Sequence, residues 1–177
     1  MLERLGTNAT QLIGILSFAT ATIACLIAAR RSEFRDARVW KWLALAQFIL
    51  VIEILAGFRH RISDFARKVL THEGLYTQAH GKWQETVIIS TAMIAFIVLM
   101  IILFWRRGAG LAPRIATVFT IAVLALFAIE TVSLHALDAV YYRPIGPVLM
   151  IAWLWAATAA GISVAASCAC RHRRGVS

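Results

Sequence analysis

Acidic side chains are scarce in this chain: nine Asp and Glu stand against eighteen Lys and Arg, and charged residues of both signs make up only 15% of the 177. The resulting formal charge of +9 would suit nucleic acid, but a second feature is missing. No basic patch interleaved with aromatics occurs away from the ends of the apolar runs, so the electrostatic footprint of a nucleic-acid binder is absent. Segments of about ten residues with alternating polarity are missing too, which excludes a transmembrane β-barrel. There is no internal repeat and no low-complexity stretch. Motifs that would name a chemistry are also lacking: no P-loop, H-E-x-x-H, nucleophile elbow or C-x-x-C-H is present. The three cysteines, Cys25, Cys168 and Cys170, lie near the ends of apolar runs read below as cytoplasmic, and no disulfide is expected.

What the chain has in abundance is apolar sequence. Hydrophobic residues make up 60% of it, against roughly 45–50% in a soluble domain, and the mean hydropathy is +0.75. The excess comes in blocks of about 20 residues, the length a helix needs to cross ~30 Å of hydrocarbon. Five such spans are expected, at about 9–29, 40–58, 86–105, 115–137 and 148–169. The first is too long for a signal-peptide core and is read as an uncleaved helix. A short charged loop, 31–41, separates it from the second. Between the second and third spans, Phe58, Ile62, Phe65 and Val69 recur at helical spacing with charged residues between them. That pattern predicts an amphipathic surface helix over about 59–72. Pro144 and Pro147 bracket a tight turn before the last span. The fold class expected is therefore an all-α integral membrane protein, a single five-helix transmembrane domain.

Counting Lys and Arg orients it. With five spans, eleven basic residues fall on the side of the 31–41 loop, the 106–114 turn and the C-terminus, and seven on the other. The positive-inside rule then places the N-terminus outside and the C-terminus in the cytoplasm of a multi-pass protein. Two stripes of small residues, Ser17/Ala21/Ala24/Ala28 in the first span and Ala157/Gly161/Ala165 in the fifth, suit close helix packing. They are candidate faces for a membrane-protein partner or a homo-oligomer.

Ionisable groups inside apolar spans cost a few kcal/mol each on insertion scales and call for a partner or a purpose. Glu53 and Glu130 are the deepest, at similar expected depth near the outer face. A shallower layer holds His60, Gln84, Glu85, His135 and Asp138. Glu130, Thr131, His135 and Asp138 fan over ~140° of one helix, so any compact site must borrow from a second helix, with Glu53 the expected contributor. Bland readings stand beside these. Asp138 could pair with Arg143 at the interface, His60 and Glu85 suit solvated interfacial positions, and Glu53 or Glu130 could be held by structural pairing alone.

As ligands, Glu53, Glu130 and His135 would suit Zn, Fe, Mn or Cu, with Asp138 orienting His135 and Thr131, Tyr141, His60 and Glu85 in support. Haem b held by His60 and His135 is a lesser candidate. The paired Glu-x-x-His of diiron bundles is absent. Cys168-x-Cys170-x-His172 is a weak metal pattern at a helix end. Three functions follow. The leading one is a buried Glu/His/Asp cluster near the outer face that binds a metal or redox cofactor, or handles protons for a small substrate such as a quinone. The alternatives are a non-catalytic accessory subunit or assembly factor of a larger membrane complex, and a small proton-coupled transporter.

Overall fold

The computed structural model describes residues 8–57, 92, 94, 98, 110–132 and 140–174. Among the described residues four helices are long and apolar enough to cross a membrane. They are α1 (Ala9–Arg31), α2 (Phe34–Ala56), α3 (Leu111–Val132) and α4 (Met150–Arg174). A minimal hairpin, β1 (Pro144–Ile145) and β2 (Val148–Leu149), leads into α4. The protein is a multi-pass helical bundle. The expected surface helix 59–72 and nearly all of the expected span 86–105 lie outside the described residues, apart from helical, exposed Ala92, Ile94 and Val98.

Local chemistry sets the helix ends. Asn8 starts α1 with a reciprocal cap: its Oδ1 accepts from the Gln11 amide at 2.8 Å while Gln11 Oε1 accepts from the Asn8 amide at 3.2 Å, which satisfies two donors the first turn would orphan. Gly57 ends α2 in the left-handed region, φ 62°, with its amide donating to the Glu53 carbonyl at 2.8 Å, a conformation glycine adopts without steric cost. Pro113 sits in the first turn of α3, where its missing N–H costs nothing. Only Ser32 and Glu33 join α1 to α2. The charged stretch after Arg31 is thus helical, not a loop. Its Arg35, Arg38 and Lys41 face outward while Val39 and Trp40 turn into the core, the 3.6-residue pattern of an amphipathic turn.

Polar contacts between helices give the register. Gln47 Nε2 on α2 donates to Thr120 Oγ1 on α3 at 3.2 Å, and the Gly110 amide donates to Asp36 Oδ1 at 3.4 Å. These pairs are 73 and 74 positions apart, so α2 and α3 run parallel. The Leu149 amide donates to Thr10 Oγ1 at 3.2 Å, which sets the starts of α1 and α4 side by side. Going round the bundle, α1 packs against α2 and α4, and α3 against α4, with a lesser α2–α3 contact. The basic residues Arg30, Arg31, Arg35, Arg38, Lys41, Arg114 and those at the end of α4 therefore gather at one end. Arg143 is the one described Lys or Arg at the other.

Close approach depends on the small residues. A Cβ on Gly14 would stand 2.7 Å from the Trp155 ring and 2.8 Å from Ile54 Cδ1; one on Gly161 would stand 2.7 Å from the Phe119 ring. Ala21 and Ala28 are fully buried and Ala165 nearly so, while Ala157 is exposed. Much of both small-residue stripes is thus covered from within the chain. The core between α1, α3 and α4 is aromatic. Phe127 stacks on Trp155 at 5.4 Å between centroids, and Phe18 tilts against both at 6.0 and 6.4 Å, within the range where aromatic pairs add to burial.

Candidate functional site

The site is built on the end of α3. Glu130 lies one helical turn beyond Phe127, so both project from the same face of α3. The glutamate is 6% exposed. A carboxylate so placed needs hydrogen bonds to hold its charge, or it takes a proton. The Tyr142 hydroxyl donates to Glu130 Oε1 at 3.2 Å. Tyr142 reaches in from outside, being itself 40% exposed, whereas neighbouring Tyr141 is buried in the core. Burial, and next the nearby Glu130 charge, push the Tyr141 hydroxyl pKa up from its ordinary 10.0. Both effects penalise a phenolate in a low-dielectric place.

The roof over this carboxylate is held from two sides. The β1–β2 hairpin turns through Gly146, φ +68°, and Pro147, with Ile145 paired to Val148, the II′ pattern that favours glycine at the first central position. Trp153 Nε1 donates to the Ile145 carbonyl at 3.2 Å, tying the turn to α4. The Thr10–Leu149 bond ties it to α1. Tyr141 and Tyr142 enter the hairpin from its other strand, so their position over Glu130 depends on these anchors.

By the parallel register, Glu130 is level with Ala56 and Gly57, about one turn or ~5 Å beyond Glu53. Glu53 is half-buried in the last turn of α2. There the αL cap ends the helix sooner than the apolar run suggests, and the carboxylate opposes the helix dipole. Of the other expected site residues, Thr131 follows Glu130 on α3, while His135, Asp138, His60 and Glu85 lie outside the described residues. Among the described residues no three His, Cys, Asp or Glu side chains group as a metal site; Cys168 is exposed and Cys170 half-buried at the end of α4.

Two features escaped the sequence reading. Tyr142, not the supporting Tyr141, makes the bond to Glu130. Gln47, fully buried, meets Thr120 in the middle of the bundle, and its Oε1 has no hydrogen-bond partner. A signal for Gln47 existed: it is the one amide in the apolar run of α2, seven residues from buried Trp40 and so on the same face. A search for ionisable groups passes over it. No protein-family model matches the chain, and no curated protein or solved structure is detectably similar to it.

Proposed function

We propose that the chain is a five-span membrane protein whose Glu130–Tyr142 site receives a small substrate with hydrogen-bonding oxygens, a quinone being the type, and exchanges a proton with it. The observation that carries this reading is the tyrosine hydroxyl donating to a buried carboxylate one helical turn from the Phe127–Trp155 stack. Aromatic neighbours suit a flat ring, and a carboxyl group hydrogen-bonded to a substrate oxygen is placed to pass a proton to or from it. Glu130 is the proton carrier, Tyr142 the donor that orients it, and Tyr141 a neutral hydroxyl beside it. His135 and Asp138 would complete a path to the outer face. Thr86 to Trp105 supply the fifth crossing, since parallel α2 and α3 leave Gly57 and Gly110 at opposite ends. The 59–72 segment lies on the outer surface as an amphipathic helix. The basic end faces the cytoplasm by the positive-inside rule, which puts the N-terminus and the Glu130 end outside.

Titrating the detergent-solubilised protein with a short-chain benzoquinone, and following quenching of tryptophan fluorescence, tests this. Saturable quenching is expected, weakened about tenfold or more in Glu130→Gln and several-fold in Tyr142→Phe, since a hydrogen bond to a charged group carries roughly 1.5–3 kcal/mol. Unsaturable quenching, or the same affinity in Glu130→Gln, would remove the reading.

A further inference from the structure

The first turns of α2 carry a feature that the Glu130 site does not use. Taking Arg38 as reference, at ~100° per residue, Phe34, Arg35, Lys41, Trp42 and Leu45 all fall within about 60° on either side of it. All six side chains are exposed. Exposed Ile49 and Ile52 continue the same arc down the helix. An outward stripe of that kind on a membrane helix faces lipid, so these three cations lie on the lipid-facing flank of the bundle's basic end. The acid nearest them is turned away: Asp36 lies about 160° round from Arg38, where its Oδ1 accepts from the Gly110 amide. Within its first three turns the arc consequently carries three positive charges and no acid: Glu33, at the N-cap, falls about 140° from Arg38, and Glu53, at the arc's edge, lies about 22 Å further down the helix. Helix α2 spans 23 residues, or about 34 Å, somewhat longer than the ~30 Å hydrocarbon layer. Its first turn therefore reaches headgroup depth. Lys41, about 10 Å below Phe34, reaches that depth by extending its stem along the helix. Arg38 is already oriented, its guanidinium 5.0 Å from the centroid of the Phe34 ring. Exposed Trp42, about one turn below Arg38, suits the boundary of headgroups and acyl chains.

We infer that Arg35, Arg38 and Lys41 form a headgroup site for an anionic phospholipid, with the lipid phosphate among the three cations and its chains lying down the Trp42–Leu45–Ile49 stripe. The occupant is a lipid and not a soluble anion, because the cations continue into an apolar track, Trp42 to Ile52, of about 15 Å, half the ~30 Å hydrocarbon layer.

Brominated lipids quench indoles they touch, and Trp42 is the reporter. The full-length protein is reconstituted in phosphatidylcholine vesicles containing a small, equal mole fraction of brominated phosphatidylglycerol or brominated phosphatidylcholine. The Trp42 component is the difference between the parent and Trp42→Phe. Enrichment of the anionic lipid by about fivefold or more is expected, fivefold being what about 1 kcal/mol from one cation near a membrane surface gives. It should fall with added salt in the parent protein and vanish in Arg35→Gln/Arg38→Gln/Lys41→Gln. Equal quenching by the two lipids in the parent, or a preference that survives in the triple variant, would overturn the inference.

Discussion

Gln47 and Thr120 meet at 3.2 Å between two parallel helices, and the bond is asymmetric. Thr120 gives its own proton to the Ala116 carbonyl at 2.9 Å and accepts from Gln47. Gln47 Oε1 remains buried without a partner. Breaking one side of such a pair should cost more than deleting both. Interhelical hydrogen bonds in membranes average ~0.6 kcal/mol, while an orphaned buried donor costs ~1–3 kcal/mol. Thr120→Val should therefore lower stability by about 1 kcal/mol. Gln47→Leu, which also removes the orphaned oxygen, should cost less or stabilise. Unfolding in mixed micelles by SDS titration measures both, and a larger loss in Gln47→Leu would refute the assignment.

Gly161 allows a test of what the small-residue stripe on α4 is for. An added Cβ would meet the Phe119 ring at 2.7 Å, and overpacking of that kind costs about 1–3 kcal/mol. Gly161→Ala should destabilise the monomer, and Phe119→Leu in the same chain should recover part of the loss. Ala157, on the same stripe but exposed, should accept Leu with little change in monomer stability. Any loss of association seen with Ala157→Leu alone would then report a true partner face, separable from the internal packing at Gly161.

How much of this was legible in the sequence differs from residue to residue. The apolar runs and their basic flanks gave the membrane class, because burial in lipid is written in composition over ~20 residues. The same rule misplaced the start of α2. Charges at 35–41 read as loop when taken one at a time, yet with Val39 and Trp40 buried between them they read as one helical face. Which of two adjacent tyrosines reaches Glu130 was not legible. Consecutive side chains on a helix point ~100° apart, and the path of the chain between α3 and the hairpin decides the choice. The stripe on α4 announced close packing without saying that Phe119 of the same chain fills it.

At Gly146 the backbone itself makes the demand. Its φ is +68° and nothing stands within 4 Å of where a Cβ would be, so a substitution there is opposed by conformation and not by space. Left-handed backbone costs an L-residue roughly 1–2 kcal/mol, less for Asn. Gly146→Val should loosen the hairpin that carries Tyr142, with Gly146→Asn milder. Quinone affinity at Glu130 should decline in the same order if the hairpin positions the tyrosine. Equal behaviour of the two variants would show that the turn does not control the site.

Tyr141 offers a titration that reads Glu130 directly. Its folded pKa is raised by burial first and by the Glu130 charge second, so the unfolded chain loses this proton at lower pH than the folded one. Folded protein thus holds more protons above pH ~10, and stability must fall as pH rises. The contribution from Tyr141 is fully present below the unfolded value of ~10 and is lost between there and the raised folded value. Tyrosinate absorbance isolates it as the difference between the parent and Tyr141→Phe, which matters because the chain has three tyrosines. In Glu130→Gln the charge is gone and burial remains, so the Tyr141 midpoint should drop part of the way towards the ordinary value. A midpoint unchanged by that substitution would mean that Glu130 holds no negative charge beside Tyr141. The carboxyl would then be protonated throughout, standing in the site as a hydrogen-bond donor and not as a proton carrier.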